Sequence, residues 1–126
     1  MRFGGGYSSP LGSITITLAG AGTSLALSNS IVEDNGTAGS NYRVLDCPPS
    51  TSLSVDSCII RNNGVAGIYG GGGILIVTNT RVAGNSGGGI YSYAASTVVR
   101  NCMIMNNTGD GLYLSGAGCA VVADTV

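Results

Sequence analysis

Residues 58–79 read CIIRNNGVAGIYGGGGILIVTN, and residues 80–101 read TRVAGNSGGGIYSYAASTVVRN. Set one under the other, they place Ile60 over Val82, Asn63 over Asn85, Gly67 over Gly89 and Ile68 over Ile90. Tyr69 then falls over Tyr91, Val77 over Val99 and Asn79 over Asn101. Each pair is 22 residues apart. The phase runs on downstream through Ile104, Asn107, Gly111, Leu112 and Tyr113, and Val99 is followed by Val122. Upstream, Leu27, Val32 and Asn35 precede Val55, Ile60 and Asn63 by a longer interval that is the same for all three. Self-similarity at a fixed period of this size marks a repeat architecture, in which one unit cannot bury its apolar face alone.

Within each unit the apolar positions alternate with period two, as in a strand. In Leu53-Ser54-Val55 and Leu75-Ile76-Val77 the outer two residues face inward. A polar corner follows at Asn29, Ser57, Asn79, Asn101 and Asp124, then a small residue at Ser30, Cys58, Thr80, Cys102 and Thr125. Val32, Ile60, Val82 and Ile104 lie two residues beyond. A Gly-rich bend then leads into Gly-Ile-Tyr or Gly-Leu-Tyr. Three short strands and three bends per 22 residues describe one turn of a coil. Stacking turns about 4.8 Å apart buries a continuous core. Asn35, Asn63, Asn85 and Asn107 then form a ladder whose amides satisfy one another at a tight corner. Gly67, Gly89 and Gly111 are expected at positive φ in the bend.

This pattern resembles the right-handed parallel β-helix, the architecture of the pectate-lyase-like superfamily. An apolar residue, two further residues and Asn, followed by Gly-Gly-Gly-Ile, is also similar to the repeats of the polymorphic outer-membrane-protein adhesins. Those carry Phe where this chain has Val32, Ile60, Val82 and Ile104. The resemblance covers residues 24–126. The expected fold is all-β: a right-handed β-solenoid with 22 residues per rung and roughly five rungs. A left-handed β-helix would show hexapeptide periods.

Composition agrees. Gly supplies 22 of 126 residues, which argues against long helices, since each Gly inside one costs about 1 kcal/mol relative to Ala. Gly does not recur at every third position, so collagen is excluded. At 44% hydrophobic and 9% charged, the chain is not a disordered tail. It has no Lys and a net charge of −1, and therefore lacks a nucleic-acid footprint. No run of 18 apolar residues is present, so no membrane span is expected. Gly4-Gly5-Gly6 follows Met1-Arg2 where a signal peptide would be apolar. The expectation is a mature product or a piece of something longer.

One domain over 1–126 is expected, with 1–23 as an irregular first coil and 24–126 as regular rungs. A longer loop within 36–54 is expected to protrude, carrying Cys47-Pro48-Pro49. Gly4-Gly5-Gly6 echoes Gly87-Gly88-Gly89. In that register Met1 matches Gly84 and Val126 matches Arg81, and Ile16 stands only half a rung before Leu27.

The candidate chemistry is sparse. Cys58 and Cys102 share an inward column two rungs apart, beyond disulfide reach. Cys47 in the loop and Cys119 at a bend are left as candidates for a link between subunits. No Cys-x-x-Cys pair and no His is present, so no metal site or cofactor is expected. The carboxylates are scattered and read as solvated, whereas glycoside hydrolysis needs two of them about 5 to 9.5 Å apart. Tyr69, Tyr91 and Tyr113, with Tyr93 nearby, are expected outward as a stripe. Such a stripe can stack sugar rings, or can simply cover the sheet. Asn35 and Asn106 begin N-glycosylation acceptor patterns, although Asn35 is expected to point into the ladder. Thr-x-Thr does not recur from rung to rung, which excludes an ice-binding Thr face.

Three classes of function follow from these residues. The first is a structural, extracellular or cell-surface solenoid that stacks head to tail with copies of itself into a filament. Phe3, Val121, Val122 and Val126 mark its ends, with a gap of about two residues between them. The others are a carbohydrate-binding or adhesin module, whose partners would be glycans, and a fragment of a polysaccharide-processing enzyme. The absence of Lys and His and the unclustered acids favour the non-enzymatic classes.

Overall fold

The computed structural model of the chain describes residues 1–4, 16–36, 43–116 and 119–125. Among them lie fifteen strands and no helix. The first sheet holds β1 (Arg2–Gly4), β4 (Ile31–Glu33), β7 (Ile59–Arg61), β10 (Arg81–Ala83) and β13 (Met103–Met105). The second holds β2 (Ile16–Thr17), β5 (Arg43–Cys47), β8 (Ala66–Gly70), β11 (Ile90–Ser92) and β14 (Leu112–Leu114). The third holds β3 (Ser24–Ser28), β6 (Ser52–Asp56), β9 (Ile74–Thr78), β12 (Ser96–Arg100) and β15 (Cys119–Ala123). Every third strand joins the same sheet, and all pairings are parallel. One turn of chain thus adds one strand to each of three walls, and the walls enclose the core.

The inward columns match the repeat phase. Val32, Ile60, Val82 and Ile104 pair in the first sheet, Leu45, Ile68, Ile90 and Leu112 in the second, and Leu27, Val55, Val77, Val99 and Val122 in the third. Each interior residue sees a similar side chain above and below, so Val, Ile and Leu interchange within a column without leaving voids. The polar corner has a conformational reason. Asn29, Ser57, Asn79, Asn101 and Asp124 all lie at φ 48° to 53°. A second left-handed corner, which the sequence reading does not identify, precedes each ladder asparagine: Asp34, Asn62, Gly84 and Asn106, at φ 53° to 66°. Asn, Asp and Gly tolerate this region best, which accounts for the abundance of Asn.

Three expectations are corrected. Gly67, Gly89 and Gly111 do not adopt positive φ; Gly67 and Gly89 are glycine because the turns approach closely there. A Cβ on Gly89 would run into the carbonyl oxygen of Gly111, and one on Gly67 would lie 3.0 Å from that of Gly89. The segment 36–54 is not one protruding loop, since it contains β5 and most of β6. Cys47 ends β5 and is fully buried, with Sγ 3.3 Å from Thr51 Oγ1. Counted by register, five of the six extra residues fall between Asn35 and Leu45 and one between Leu45 and Leu53. Finally, Ile16 pairs with Leu45 and Phe3 with Val32, so there is no half rung. Phe3 to Ile16 spans the same length of chain as Val32 to Leu45, so the register of the first two turns is the same. Residues 5–15 and 37–42 lie outside the described residues. In this register Met1 matches Thr80, not Gly84, and stands at the position equivalent to Thr125.

Candidate functional site: an asparagine ladder, a tyrosine face and an open end

The asparagine ladder is directional. The Oδ1 atom of Asn63 accepts from the backbone N–H of Asn35 at 3.0 Å and from its Nδ2 at 3.1 Å. Asn85 accepts from Asn63 in the same way at 3.1 and 2.8 Å, and Asn107 from Asn85 at 3.0 and 3.0 Å. Each Nδ2 also donates to the carbonyl of the inward aliphatic one turn earlier: Asn63 to Val32, Asn85 to Ile60 and Asn107 to Val82. Asn35, Asn63 and Asn85 are buried, so the ladder is structural. Burial also removes Asn35 as a glycosylation acceptor in the folded chain, whereas Asn106 is exposed at its corner.

The carboxylates are not uniformly solvated, and Glu33 is the exception that sequence reading missed. Its side chain is only 3% exposed and lies between Arg2 and Arg61, with Arg61 Nε 2.7 Å from Oε2. The hydrogen bond from Arg61 and the charges of both arginines hold its carboxyl below the usual range, against the opposing effect of burial. The signal was present, because Glu33 and Arg61 share a column at the longer upstream interval. Asp56 accepts from Thr78 at 2.6 Å, Asn79 at 2.8 Å and Ser57 at 3.0 Å, and these bonds lower its pKa. Among the described residues no three of His, Cys, Asp and Glu lie close enough together to hold a metal ion.

Cys47, Cys58 and Cys102 are free and buried. Cys58 and Cys102 flank the Thr80 position in one inward column, and burial pushes both thiols up. Cys47 therefore does not present a thiol to another subunit. The Cys119 side chain lies outside the described ones.

Tyr69, Tyr91 and Tyr113 pair in register on the outer face of the second sheet. The ring contacts run through Tyr93, which stands two residues beyond Tyr91. Tyr69 meets Tyr93 at 5.5 Å between centroids, Tyr93 meets Tyr113 at 5.5 Å, and Tyr113 meets Tyr91 at 5.8 Å. The guanidinium of Arg43 lies 3.4 Å over the Tyr69 ring. Partial desolvation and the surrounding phenols of Tyr113, Tyr69 and Tyr91 push the Tyr93 hydroxyl up.

The last described turn exposes residues of the interior columns. Val122 is 45% and Leu114 37% exposed, although Val99 and Ser92 occupy the same columns one turn earlier and are buried. Ile104 and Leu112 are only partly buried. Phe3 lies in β1, on the first turn. The side chains of Phe3 and Val121 and the whole of Val126 fall outside what the structure describes. No helix among the described residues is long and apolar enough to cross a membrane.

Three parallel walls, one strand added to each per turn, interior aliphatic columns and an asparagine ladder define a β-solenoid. The chain matches the family model for the right-handed β-helix region over residues 16–125 and belongs to that family, as the resemblance to the pectate-lyase-like architecture implied. No curated protein and no solved structure matches it.

Proposed function

We infer that this chain is a non-catalytic structural solenoid, extracellular or at the cell surface, that associates end to end with copies of itself. The observation that carries this reading is the exposure of interior-column residues on the last described turn. Leu114 and Val122 occupy interior columns yet are exposed at 37% and 45%. The outer edges of β13, β14 and β15 carry backbone groups that can accept another strand. The occupant is a second copy, because β1, β2 and β3 lie on the same three walls in the same order and can extend each sheet in parallel. Such a contact is heterologous and need not close, so it builds a filament. Sedimentation velocity and negative-stain microscopy test this, with Leu114→Arg and Val122→Arg as variants. Association that is concentration-dependent and lost in the variants is expected. A wild-type protein monomeric at high concentration, or filaments indifferent to both substitutions, would refute it.

The second reading is a carbohydrate-binding module, favoured by the tyrosine face. Exposed ring surface there is on the order of 200–300 Å², well short of the roughly 800 Å² each partner contributes to a stable protein interface. It is of a size to meet the apolar faces of a few sugar rings. A glycan-array signal lost on Tyr91→Ala supports this reading; silence across the array removes it.

A further inference from the structure

The tyrosine face supports a second kind of chemistry, independent of end-to-end association. Tyr69, Tyr93, Tyr113 and Tyr91 form one chain of ring contacts with interplanar angles of 42°, 49° and 42°. Centroids of Tyr93 and Tyr113 only 5.5 Å apart put the ring carbons of the two residues close to one another. Tyr93 and Tyr113 are the most exposed of the four, at 42% and 37%. The parallel register of β8, β11 and β14 fixes their separation. One face of Tyr69 is covered by Arg43. The chain has no Trp to compete for an oxidant, and the Cys47, Cys58 and Cys102 thiols are buried.

We propose that Tyr93 and Tyr113 form a site of oxidative coupling, at which a peroxidase-class oxidant joins the two rings by a carbon–carbon bond ortho to their hydroxyls. Each phenol loses one electron and one proton to give a phenoxyl radical. The two radicals combine at ortho carbons, and each ring then returns its ortho hydrogen to the oxygen and regains aromaticity. The product lacks two hydrogen atoms; one hydrogen peroxide takes up the two electrons and two protons and leaves as two waters. The exposure of both rings lets solvent water take up the departing protons. The product is a covalent staple between the bend after β11 and strand β14, tying the last turn of the second sheet to the one before it. A solenoid held otherwise by hydrogen bonds and packing gains a cross-link that survives local opening of that turn.

The test is treatment of the dilute full chain with a peroxidase and hydrogen peroxide, followed by intact-mass measurement and trypsin digestion. Cleavage after Arg81 and Arg100 separates residues 82–100, which hold Tyr91 and Tyr93, from residues 101–126, whose one tyrosine is Tyr113. The expected product is a monomer lighter by two hydrogen atoms in which these two peptides are joined. Tyr113→Phe abolishes the joined pair, and Tyr93→Phe lowers its yield at least tenfold. Tyr91→Phe changes the yield less than twofold. Phenylalanine keeps the ring packing, so unchanged far-UV circular dichroism separates loss of the hydroxyl from loss of the fold. The assignment is overturned by oxidation confined to Met103 and Met105, by links that run instead through residues 3–43, by covalent dimers in place of monomers, or by a yield unaffected in Tyr93→Phe.

Discussion

Replacing Asn85 with Ala tests whether the ladder or the apolar columns set the stability of this solenoid. The Asn85 side chain is fully buried and at the centre of the ladder. Its Oδ1 is the acceptor for both the backbone N–H and the Nδ2 of Asn63, and its Nδ2 donates to Ile60 O at 3.3 Å and Asn107 Oδ1 at 3.0 Å. Truncation leaves the Asn63 N–H buried with no acceptor and weakens three further groups. A buried polar group left unsatisfied costs about 1–3 kcal/mol, so the loss should be about 3–6 kcal/mol. That is a large part of the roughly 5–15 kcal/mol typical of a whole domain. Asn107 makes equivalent bonds on the open turn, where water can replace what is removed, and Asn107→Ala should cost about 1–2 kcal/mol. Urea unfolding followed by far-UV circular dichroism measures both, with a slope that reports whether the same surface is exposed. A loss below about 1.5 kcal/mol at Asn85, or an equal loss at the two positions, would show that the ladder fills space without bearing stability.

Other substitutions probe the remaining features. Gly89→Ala should cost at least about 3 kcal/mol, because the added Cβ meets the Gly111 carbonyl and backbone cannot give way as a side chain does. At Gly22, at φ +81° with open space around it, alanine should cost only about 1 kcal/mol; the difference in melting temperature between these two variants measures the contrast. Ile60→Asp should abolish cooperative unfolding, since it strands a carboxylate in the core. Ile104→Asp, on the half-covered turn, should leave a folded but weakened protein, and exposed Arg81→Ala should stay within about 0.5 kcal/mol of wild type. The folded-state pKa of Glu33 lies below its free value of 4.5, so its contribution is present above that pH and lost as pH falls further. Melting temperature should therefore drop more steeply below pH 4.5 in the wild type than in Glu33→Gln, and parallel curves would show that the Arg2–Glu33–Arg61 cluster contributes nothing.

The interior of this fold is legible in its sequence because each turn repeats the same packing problem. Val55, Val77 and Val99, or Ile60 and Val82, answer it with nearly the same side chain, and the constant spacing recovers the columns. The ladder asparagines are legible for the same reason, since the corner they fill recurs at each turn. What failed was register where the period changes. Gly4-Gly5-Gly6 resembles Gly87-Gly88-Gly89 in composition, but strand pairing puts Phe3, not a glycine bend, over Val32. A glycine run carries no side chains to fix a register, whereas one aliphatic residue in an interior column does. The positive-φ assignment failed similarly. Glycine meets two demands, a left-handed backbone and the absence of a Cβ, and only three-dimensional proximity shows which applies at Gly67 and Gly89. Outward contacts such as Glu33 with Arg61, and Tyr93 between Tyr69 and Tyr113, depend on side-chain direction rather than periodicity. The longer upstream interval gives the first pair its column, but only the fold brings Arg2 to the same carboxylate.

The outer columns are where function has to be sought, and they differ in kind from the inner ones. On the third sheet the outward positions read Ala26, Ser54, Ile76 and Val98, so repetition of the turn has not held outward residues fixed in general. The tyrosine column is held for three turns nevertheless. Ring packing alone gives a reason, since each aromatic pair adds about 0.5–1.5 kcal/mol beyond its buried area, but packing asks only for rings. Phenylalanine would satisfy it, and this chain, with 6 Tyr and 1 Phe, places the hydroxylated ring at each of the four aromatic positions 69, 91, 93 and 113 of the face. A hydroxyl that serves only solubility is dispensable, whereas one that binds a glycan or yields an electron is not. Tyr93→Phe and Tyr113→Phe together should therefore leave the melting temperature within about 2 °C of wild type while removing coupling between those two rings. If the double variant instead melts far lower, the hydroxyls are structural, and the tyrosine face is explained by stability alone.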